Sequence, residues 1–197
     1  ITVIRNDVNL GVARARNIGL TKAVGDFVLI LDNDTIATPE AIDALIAHMR
    51  ENDDVGICGC VLRNADGLFH NCRPYPGLLL KAKNALHIGR ERLELPIHGH
   101  EYLEAGKDFD YLIGACQMVR RSALEQVGLL DDSIFYGPED ADFCIRMRSA
   151  GYKVRCITSA CITHFWQRAT RRKRLSRLTC HHVKALMHFY IKHRRIL

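Results

Sequence analysis

Short apolar runs alternate with amphipathic stretches along the first third of the chain. The runs at residues 1–4 (ITVI), 26–31 (DFVLIL) and 55–62 (VGICGCVL) predict strands. The second run is continuous, as in a strand that is buried on both faces of a parallel sheet. The stretches at residues 9–24 and 38–50 predict helices. This alternation of strands and helices predicts an α/β sheet with right-handed crossovers.

The two predicted helices carry terminal signals. The first is expected to take Asn9 as its N-cap and to end before Gly25. Its buried face is expected to contain Val12, Ala15, Ile18 and Ala23. The second is expected to begin at Thr38, with Pro39 in the first turn.

The second half of the chain predicts fewer and less regular elements. Residues 64–110 are rich in His, Gly and Pro and predict an irregular surface excursion. Residues 111–121 (YLIGACQMVRR) predict a strand, followed by a short helix at residues 122–128. A β pair is expected from residues 154–158 (VRCIT) and 160–166 (ACITHFW).

Length and composition are those of a single globular domain. The 197 residues are 48% hydrophobic, enough for one sizeable core, and no apolar run approaches the length of a membrane span. The chain opens inside an apolar run, so we expect it to be a piece of a longer protein. Its eight Cys include no C-x-x-C pair, which favours buried, reduced thiols in a cytosolic protein.

Charge is divided unevenly along the chain. The formal net charge is +6, but all 22 acidic residues lie in residues 1–142, and residues 143–197 hold half of the 28 Lys and Arg residues. A basic, predicted helical tail favours contact with an anionic membrane surface. The alternatives are a helix that completes the fold or contacts another subunit. Nucleic acid is not an expected partner, because no RNA- or DNA-reading motif occurs.

The tail also has an apolar side. Near helical spacing it carries Leu175, Leu178, His182, Ala185, Leu186 and Phe189. This side is expected to dock either on the domain or on a membrane.

Two carboxylates follow the apolar strand at residues 26–31. Ligand sites in open α/β sheets lie at the carboxyl ends of strands. There Asp32 and Asp34, on either side of Asn33, can offer oxygens to Mn²⁺ or Mg²⁺, an ion shared with phosphate groups. The alternative is a solvated turn, in which Asp and Asn are common.

Four features in order give the chain a family resemblance. They are N-x-G-x-x-x-A-R-N-x-G (Asn9–Gly19), D-x-D (Asp32–Asp34), E-D-x-D (Glu139–Asp142), and His164, which lies 24 residues after Asp140. With them the chain resembles the family 2 glycosyltransferases of the GT-A fold, most closely the bacterial rhamnosyltransferase-like or galactofuranosyltransferase-like members. The resemblance runs from residue 1 to about residue 166.

The resemblance implies a fold and a division of the chain. The expected fold is the α/β, Rossmann-like GT-A fold, a mixed and mostly parallel sheet flanked by helices. The family's first strand and nucleobase-binding loop would lie before residue 1. Residues 1–166 would form the catalytic domain, and residues 167–197 a basic amphipathic helical segment.

The resemblance also implies roles for single residues. Asp32, Asp34 and His164 would bind the metal ion, and Asp140 would be the general base. The residues expected to contact the donor are Asn9, Gly11, Arg16, Asn17 and Asn33. Those expected to contact the acceptor are Gly114, Glu139, Asp142 and Trp166.

Structural roles remain open for several of these residues. Glu139 and Asp142 would complement a helix dipole, with Asp142 paired to Arg146 at i, i+4. A histidine at the end of an apolar strand is often structural, which applies to His164. Helix packing suits Asn17, solvent exposure suits Arg16, and ordinary packing suits Gly114 and Trp166.

The function implied is an inverting, metal-dependent transfer of a sugar from a UDP- or dTDP-sugar to a hydroxyl of a saccharide or lipid-linked acceptor. Such a reaction needs stabilisation of the leaving diphosphate and a carboxylate that takes the acceptor proton. The setting implied is cell-surface polysaccharide synthesis. The enzyme would be cytoplasmic and peripheral on the inner face of the membrane.

Two other classes of function compete. D-N-D-T-I at residues 32–36 nearly fits the haloacid-dehalogenase motif, in which Asp32 would be a phosphorylated nucleophile. Against this phosphohydrolase, Ile36 stands where Thr or Val is expected, and a strand–helix unit precedes the motif. The second alternative is a non-catalytic binding fragment.

Overall fold

The computed structural model describes residues 1–64, 72–73, 75, 109–165 and 177–194. The helices in these residues are α1 (Val12–Lys22), α2 (Pro39–Glu51), α3 (Arg121–Val127), α4 (Glu139–Ser149) and α5 (Arg177–Lys192). The strands are β1 (Phe27–Leu31), β2 (Thr35–Ile36), β3 (Val55–Arg63), β4 (Cys72–Arg73), β5 (Tyr111–Leu112), β6 (Cys116–Arg120) and β7 (Lys153–His164).

Five of the strands form one mixed sheet in the order β1-β6-β3-β7-β2, and β4 pairs with β5 separately. The mixed α/β architecture is confirmed. The expected parallel majority is wrong for the described pairs, since β3–β7 is parallel and the other three pairs are antiparallel. The reason is that β6 runs antiparallel between β1 and β3. Strand β1 lies at one edge of the described sheet.

The start of the chain differs from its prediction. Residues 1–4 are exposed and form no strand, because no described strand lies beside them. Helix α1 begins at Val12, after Gly11, so Asn9 is not the N-cap; its side chain accepts a hydrogen bond from the Gly11 amide (3.0 Å). The buried residues of α1 are Ala13 and Leu20, not the predicted face.

Two predicted strand boundaries are also wrong. Residues 111–121 form β5 and β6, which belong to different sheets and are separated by a turn at residues 113–115. The expected β pair at residues 154–166 is instead one strand, β7, whose register with β3 shifts between Cys60 and Val61. Because of this irregularity, one strand continues through Ser159, the polar residue between the two predicted strands.

Other local signals are confirmed. Helix α2 begins at Pro39, and the Thr38 hydroxyl accepts a hydrogen bond from the Ala41 amide (3.3 Å). Five cysteines are buried thiols as predicted: Cys58, Cys60, Cys116, Cys144 and Cys156. The prediction is wrong for Cys161 and Cys180, which are exposed. Burial raises the pKa of Cys58 above its ordinary value, which is typical of an inert core thiol.

Two apolar clusters enclose the sheet. One packs Leu45 and Met49 of α2 against Cys58 and other residues of the central strands. The other packs α1, α3 and α4 against the sheet, with Phe143 and Met147 at its centre. The ends of β1 and β7 therefore project from a well-packed scaffold.

Helix α5 packs on α4 through a smaller cluster. Phe189 is buried against Ala141 and Ile145, and Ala185 is buried beside it. Of the two alternatives for the tail's apolar side, these residues take the first and dock on the domain. Among the helices that the structure describes, none combines the length and the apolar character needed to cross a membrane.

Candidate active site

Tight backbone pairing fixes the turn that carries Asp32 and Asp34. The Asp32 amide donates to the carbonyl of Ala115 (3.0 Å), and the Thr35 hydroxyl donates to the carbonyl of Asp32 (2.7 Å). Thr35 in β2 lies opposite His164 at the end of β7, and the Phe165 amide donates to the carbonyl of Asp34 (2.8 Å). The pairing of β2 with β7 therefore brings His164 to the acidic turn.

Asp32, Asp34 and His164 form one cluster. Each offers a ligand atom, and these atoms lie within 4.8 Å of one another. The His164 Nε2 atom lies 3.2 Å from Asp34 Oδ1, and the two carboxylate side chains retain 36% and 30% exposure. Two accessible carboxylates and one imidazole suit an ion such as Mn²⁺. No other such group of three occurs within the described ranges.

Arg16 joins this cluster to the E-D-x-D segment. Its Nη2 atom donates to Asp32 Oδ1 (2.6 Å), and its Nη1 atom donates to Glu139 Oε1 (3.2 Å). Burial alone would lower the pKa of Arg16, but the charges of Asp32 and Glu139 raise it above its ordinary value. Arg16 thus stays a cation between two carboxylates, and the two acidic motifs belong to one site.

Glu139 and Asp140 begin helix α4. Glu139 is buried, and burial, together with the nearby charge of Asp140, raises its pKa to about 7 against the opposing effect of Arg16. Asp140 is partly buried and accepts hydrogen bonds from the amides of Gly114 (3.1 Å) and Ala141 (2.8 Å). The two adjacent acids therefore occupy different environments, as in sites that separate proton-holding from proton-accepting roles.

Gly114 leaves room for Arg16. A Cβ atom at this position would collide with the Arg16 guanidinium group. Gly114 therefore contributes in two ways. Its lack of a Cβ atom leaves space for the Arg16 guanidinium, and its amide donates a hydrogen bond to Asp140.

The expectation that Asp142 contacts the acceptor is wrong for this structure. Its side chain is completely buried and meets Arg146 (2.9 Å), Lys192 (2.7 Å) and the imidazole of His193 (2.7 Å). The predicted i, i+4 pair with Arg146 is confirmed. The helix turn that exposes one face to the site directs Asp142 to the opposite side, towards α5.

Asn17 also has a structural partner. Its amide group donates to the carbonyl of Leu130 (2.8 Å) and accepts from the Leu130 amide (3.0 Å). Its expected contact with the donor sugar nucleotide stays a prediction. Its predicted alternative, helix packing, fits the observed bonds.

Three other predicted residues, Asn9, Gly11 and Asn33, lie outside the helices and strands. Gly11 has a positive φ of 81° and packs on the Phe135 carbonyl, so a Cβ atom would clash there. Asn9 precedes it in an exposed loop, and Asn33 is exposed in the turn between Asp32 and Asp34. Trp166 lies outside the described residues.

Sequence reasoning missed Tyr136. Burial raises its pKa, and the charges of Glu139, Asp140 and Asp32 raise it further, so the phenol lies among the acids of the site. The available signal was its position directly ahead of G-P-E-D. An aromatic ring beside such a site can stack on a ligand.

Comparisons with known proteins agree with the family resemblance. The family model for Glycosyl transferase family 2 matches residues 1–128. An N-acetylglucosaminyl-diphospho-decaprenol L-rhamnosyltransferase of Mycobacterium tuberculosis is 31% identical over 164 residues, which are 81% of this chain and 53% of that protein. The dTDP-rhamnosyl transferase RfbF of Shigella flexneri is 28% identical, over 79% of this chain and 49% of its own. The chain spans about half the length of these relatives.

Solved structures share the fold at low sequence identity. A mannosyltransferase from Pyrobaculum calidifontis, in complex with GDP-Man and Mn²⁺, aligns with a TM-score of 0.60 and 18% identity, covering 94% of this chain and 46% of that one. GalNAc-T7 with UDP, GalNAc and Mn²⁺ aligns with a TM-score of 0.59 and 17% identity, covering 83% and 32%. Both are glycosyltransferases of the GT-A type.

Proposed function

The chain belongs to glycosyl transferase family 2, and from this membership we propose that it transfers a sugar from a nucleoside-diphosphate donor to an acceptor hydroxyl, with inversion. The observation that carries the proposal is the junction of two acidic motifs. Asp32, Asp34 and His164 form a metal-type cluster, and Arg16 links Asp32 to the turn that bears Asp140. Family membership argues against the phosphohydrolase alternative.

Asp32, Asp34 and His164 are the residues that would hold a divalent ion. When bound, Mn²⁺ or Mg²⁺ supplies Lewis-acid stabilisation of a leaving diphosphate. Arg16 keeps the adjacent Asp32 carboxylate oriented, and its positive charge lowers the electrostatic cost of bringing a diphosphate to an acidic site.

We assign the proton-accepting role to Asp140. Its carboxylate is held by two backbone amides, which favour the charged form and fix its direction. An acceptor hydroxyl would lose its proton to Asp140 as its oxygen forms the new bond to the anomeric carbon, while the bond to the diphosphate breaks. A single attack opposite the leaving group inverts the anomeric centre. Glu139, buried with a raised pKa, is suited to be protonated near neutral pH.

We propose a UDP- or dTDP-sugar as the donor and a saccharide or lipid-linked saccharide as the acceptor, in cell-surface polysaccharide synthesis. The names of two relatives support this class, one a rhamnosyltransferase acting on a diphospho-decaprenol lipid and one a dTDP-rhamnosyl transferase. The turn at Gly114 and the start of α4 at Glu139 and Asp140 are the described segments expected to line the acceptor side.

The test is a donor assay on this chain. Radiolabelled UDP- and dTDP-sugars are incubated with and without Mn²⁺, and free sugar and transferred sugar are separated. Metal-dependent donor hydrolysis or transfer, abolished by EDTA, is the expected result. Absence of both, with donor still bound, would identify a non-catalytic binding fragment and contradict the proposal.

We also propose that the enzyme works in the cytoplasm, on the inner face of an anionic membrane. Support comes from the side of α5 that faces away from the domain. Val183, Met187 and Ile191, spaced by four residues, are 51%, 62% and 68% exposed, and Lys184 and Arg194 are exposed near them. An apolar stripe with basic neighbours, in a segment without acids, suits the interface of an anionic bilayer.

Vesicle sedimentation tests this surface. Replacement of Val183, Met187 and Ile191 by Ser should reduce binding to phosphatidylglycerol-rich vesicles, with little binding of either protein to phosphatidylcholine vesicles. The matched control replaces two exposed residues elsewhere, Val8→Ser and Val24→Ser. Equal sedimentation of the triple variant and the wild type would exclude this face as the contact.

A further inference from the structure

Helix α5 makes polar contacts with the segment at residues 131–142 at three places. At one end, His182 Nδ1 lies 3.2 Å from the carbonyl oxygen of Tyr136. In the middle, His188 lies 3.0 Å and Lys192 lies 2.6 Å from the carboxylate of Asp131. At the other end, Lys192 and His193 reach Asp142. The segment that carries Glu139 and Asp140 is thus held along its length by one helix.

The contact at Asp142 is the most buried of the three. The Asp142 side chain has no exposed surface, and His193 beside it is 6% exposed. Burial alone would raise the pKa of Asp142, but hydrogen bonds from Lys192 and His193 and the charge of Arg146 lower it below its ordinary value. A buried charge held by several partners has little freedom to move, because losing a partner leaves it uncompensated.

Asp142 and Asp140 belong to the same helical turn. The Asp142 amide donates to the carbonyl of Pro138 (3.0 Å), which closes the first turn of α4 around Asp140. Asp140 in turn depends on the Gly114 amide for its direction. A displacement of Asp142 therefore tilts the turn and lengthens the bond between Asp140 and Gly114.

We propose that Lys192 and His193 are positioning residues for catalysis, which hold Asp140 at its working position by fixing Asp142. The inference rests on the proposed function, because it gives Asp140 the proton-accepting role. It gives α5 a role in catalysis that is separate from the proposed membrane contact of Val183, Met187 and Ile191. Neither residue is expected to touch the substrates.

Matched variants test this proposal in solution, with a soluble acceptor. His193→Leu removes the hydrogen bond to Asp142, whereas His193→Gln retains a donor near the position of Nε2. Lys192→Leu removes the Lys192 cation, and Lys22→Leu makes the same change at an exposed position of α1. We expect kcat to fall about 10- to 100-fold in His193→Leu and Lys192→Leu. The donor KM should stay unchanged, and activity should remain near wild type in His193→Gln and Lys22→Leu.

Amide hydrogen exchange gives a readout that does not need activity. The Gly114 amide should exchange faster in His193→Leu, because its bond to Asp140 is weakened, whereas the Val119 amide in the core of β6 should not change. Equal acceleration at both amides would indicate general destabilisation and overturn the proposal. Unchanged kcat and unchanged Gly114 exchange would overturn it as well. If the wild type transfers no sugar, the proposed function fails, and Gly114 exchange still decides whether α5 positions Asp140.

Discussion

The two acidic motifs of the chain use the same chemical group in opposite ways. In D-x-D, Asp32 and Asp34 keep about a third of their side-chain surface exposed and lie beside an imidazole. In E-D-x-D, Asp142 is buried among Arg146, Lys192 and His193, and Glu139 is buried against Arg16. Asp140 stands between these extremes, partly buried and held by amides.

We propose that this difference separates ligand-binding acids from structural ones. A carboxylate that already meets several cations has little electrostatic gain left from a metal ion, whereas accessible neighbouring carboxylates gain much from one. The helical turn of α4 distributes its acids among the site, Arg16 and α5, while the turn after β1 directs both of its acids to one place. Spacing of acids in sequence therefore does not reveal which of them bind ligands.

The largest effect is expected at Asp140. Asp140→Asn keeps the shape of the side chain and can accept one of the two amide hydrogen bonds, because one carboxylate oxygen becomes an NH2 group. It removes the proton-accepting charge, so kcat should fall by about 10²- to 10⁴-fold. Donor affinity should be retained, because the metal-type cluster is unchanged. Steady-state kinetics with a soluble acceptor, together with UDP binding, measure the two effects. Near-full activity of Asp140→Asn would remove this residue as the base.

An intermediate effect is expected at Gly114. In Gly114→Ala the new Cβ atom displaces the Arg16 guanidinium, which weakens charged hydrogen bonds worth about 1.5–3 kcal/mol each. Activity should fall about 10-fold or more. The matched control is Gly19→Ala, an exposed helical position with open space around it, where stability should rise slightly. Equal activity of the two variants would contradict the role of Arg16 as the link between the motifs.

The smallest effect concerns stability and pH. Folding raises the pKa of Glu139 from 4.5 to about 7, so the folded state binds this proton more tightly than the unfolded state. The free energy of unfolding should therefore fall as pH rises from about 4.5 to about 7. In Glu139→Gln this part of the fall should disappear. Urea unfolding of both proteins across this range checks it, and parallel pH profiles would contradict the buried, proton-holding state of Glu139.

Local signals predicted most of the elements of the fold. The proline and threonine at the start of α2 and the apolar run of β1 each determine structure within a few residues. The position of β6 between β1 and β3 could not be predicted, because it depends on pairing across the whole domain. The boundary between β5 and β6 was missed for the same reason, since an apolar run does not show where a strand changes sheet.

The site was predictable in its parts and less so in its connections. The metal-type cluster and the pair Asp142–Arg146 follow from motifs with short or ordered spacing. The link from Arg16 to Glu139 spans 123 residues, and the contact between Asp142 and His193 spans 51. Such contacts depend on how α1, α4 and α5 pack. Local sequence does not encode that packing as a pattern.

Titration of Mn²⁺ into the chain in the presence of UDP tests the central claim most directly. For the wild type we predict binding at a single site, and for Asp34→Ala an affinity at least about 10-fold weaker. The control Asp43→Ala removes an exposed acid of α2 and should bind as the wild type does. Identical isotherms for the wild type and Asp34→Ala would contradict a metal site at the end of β1.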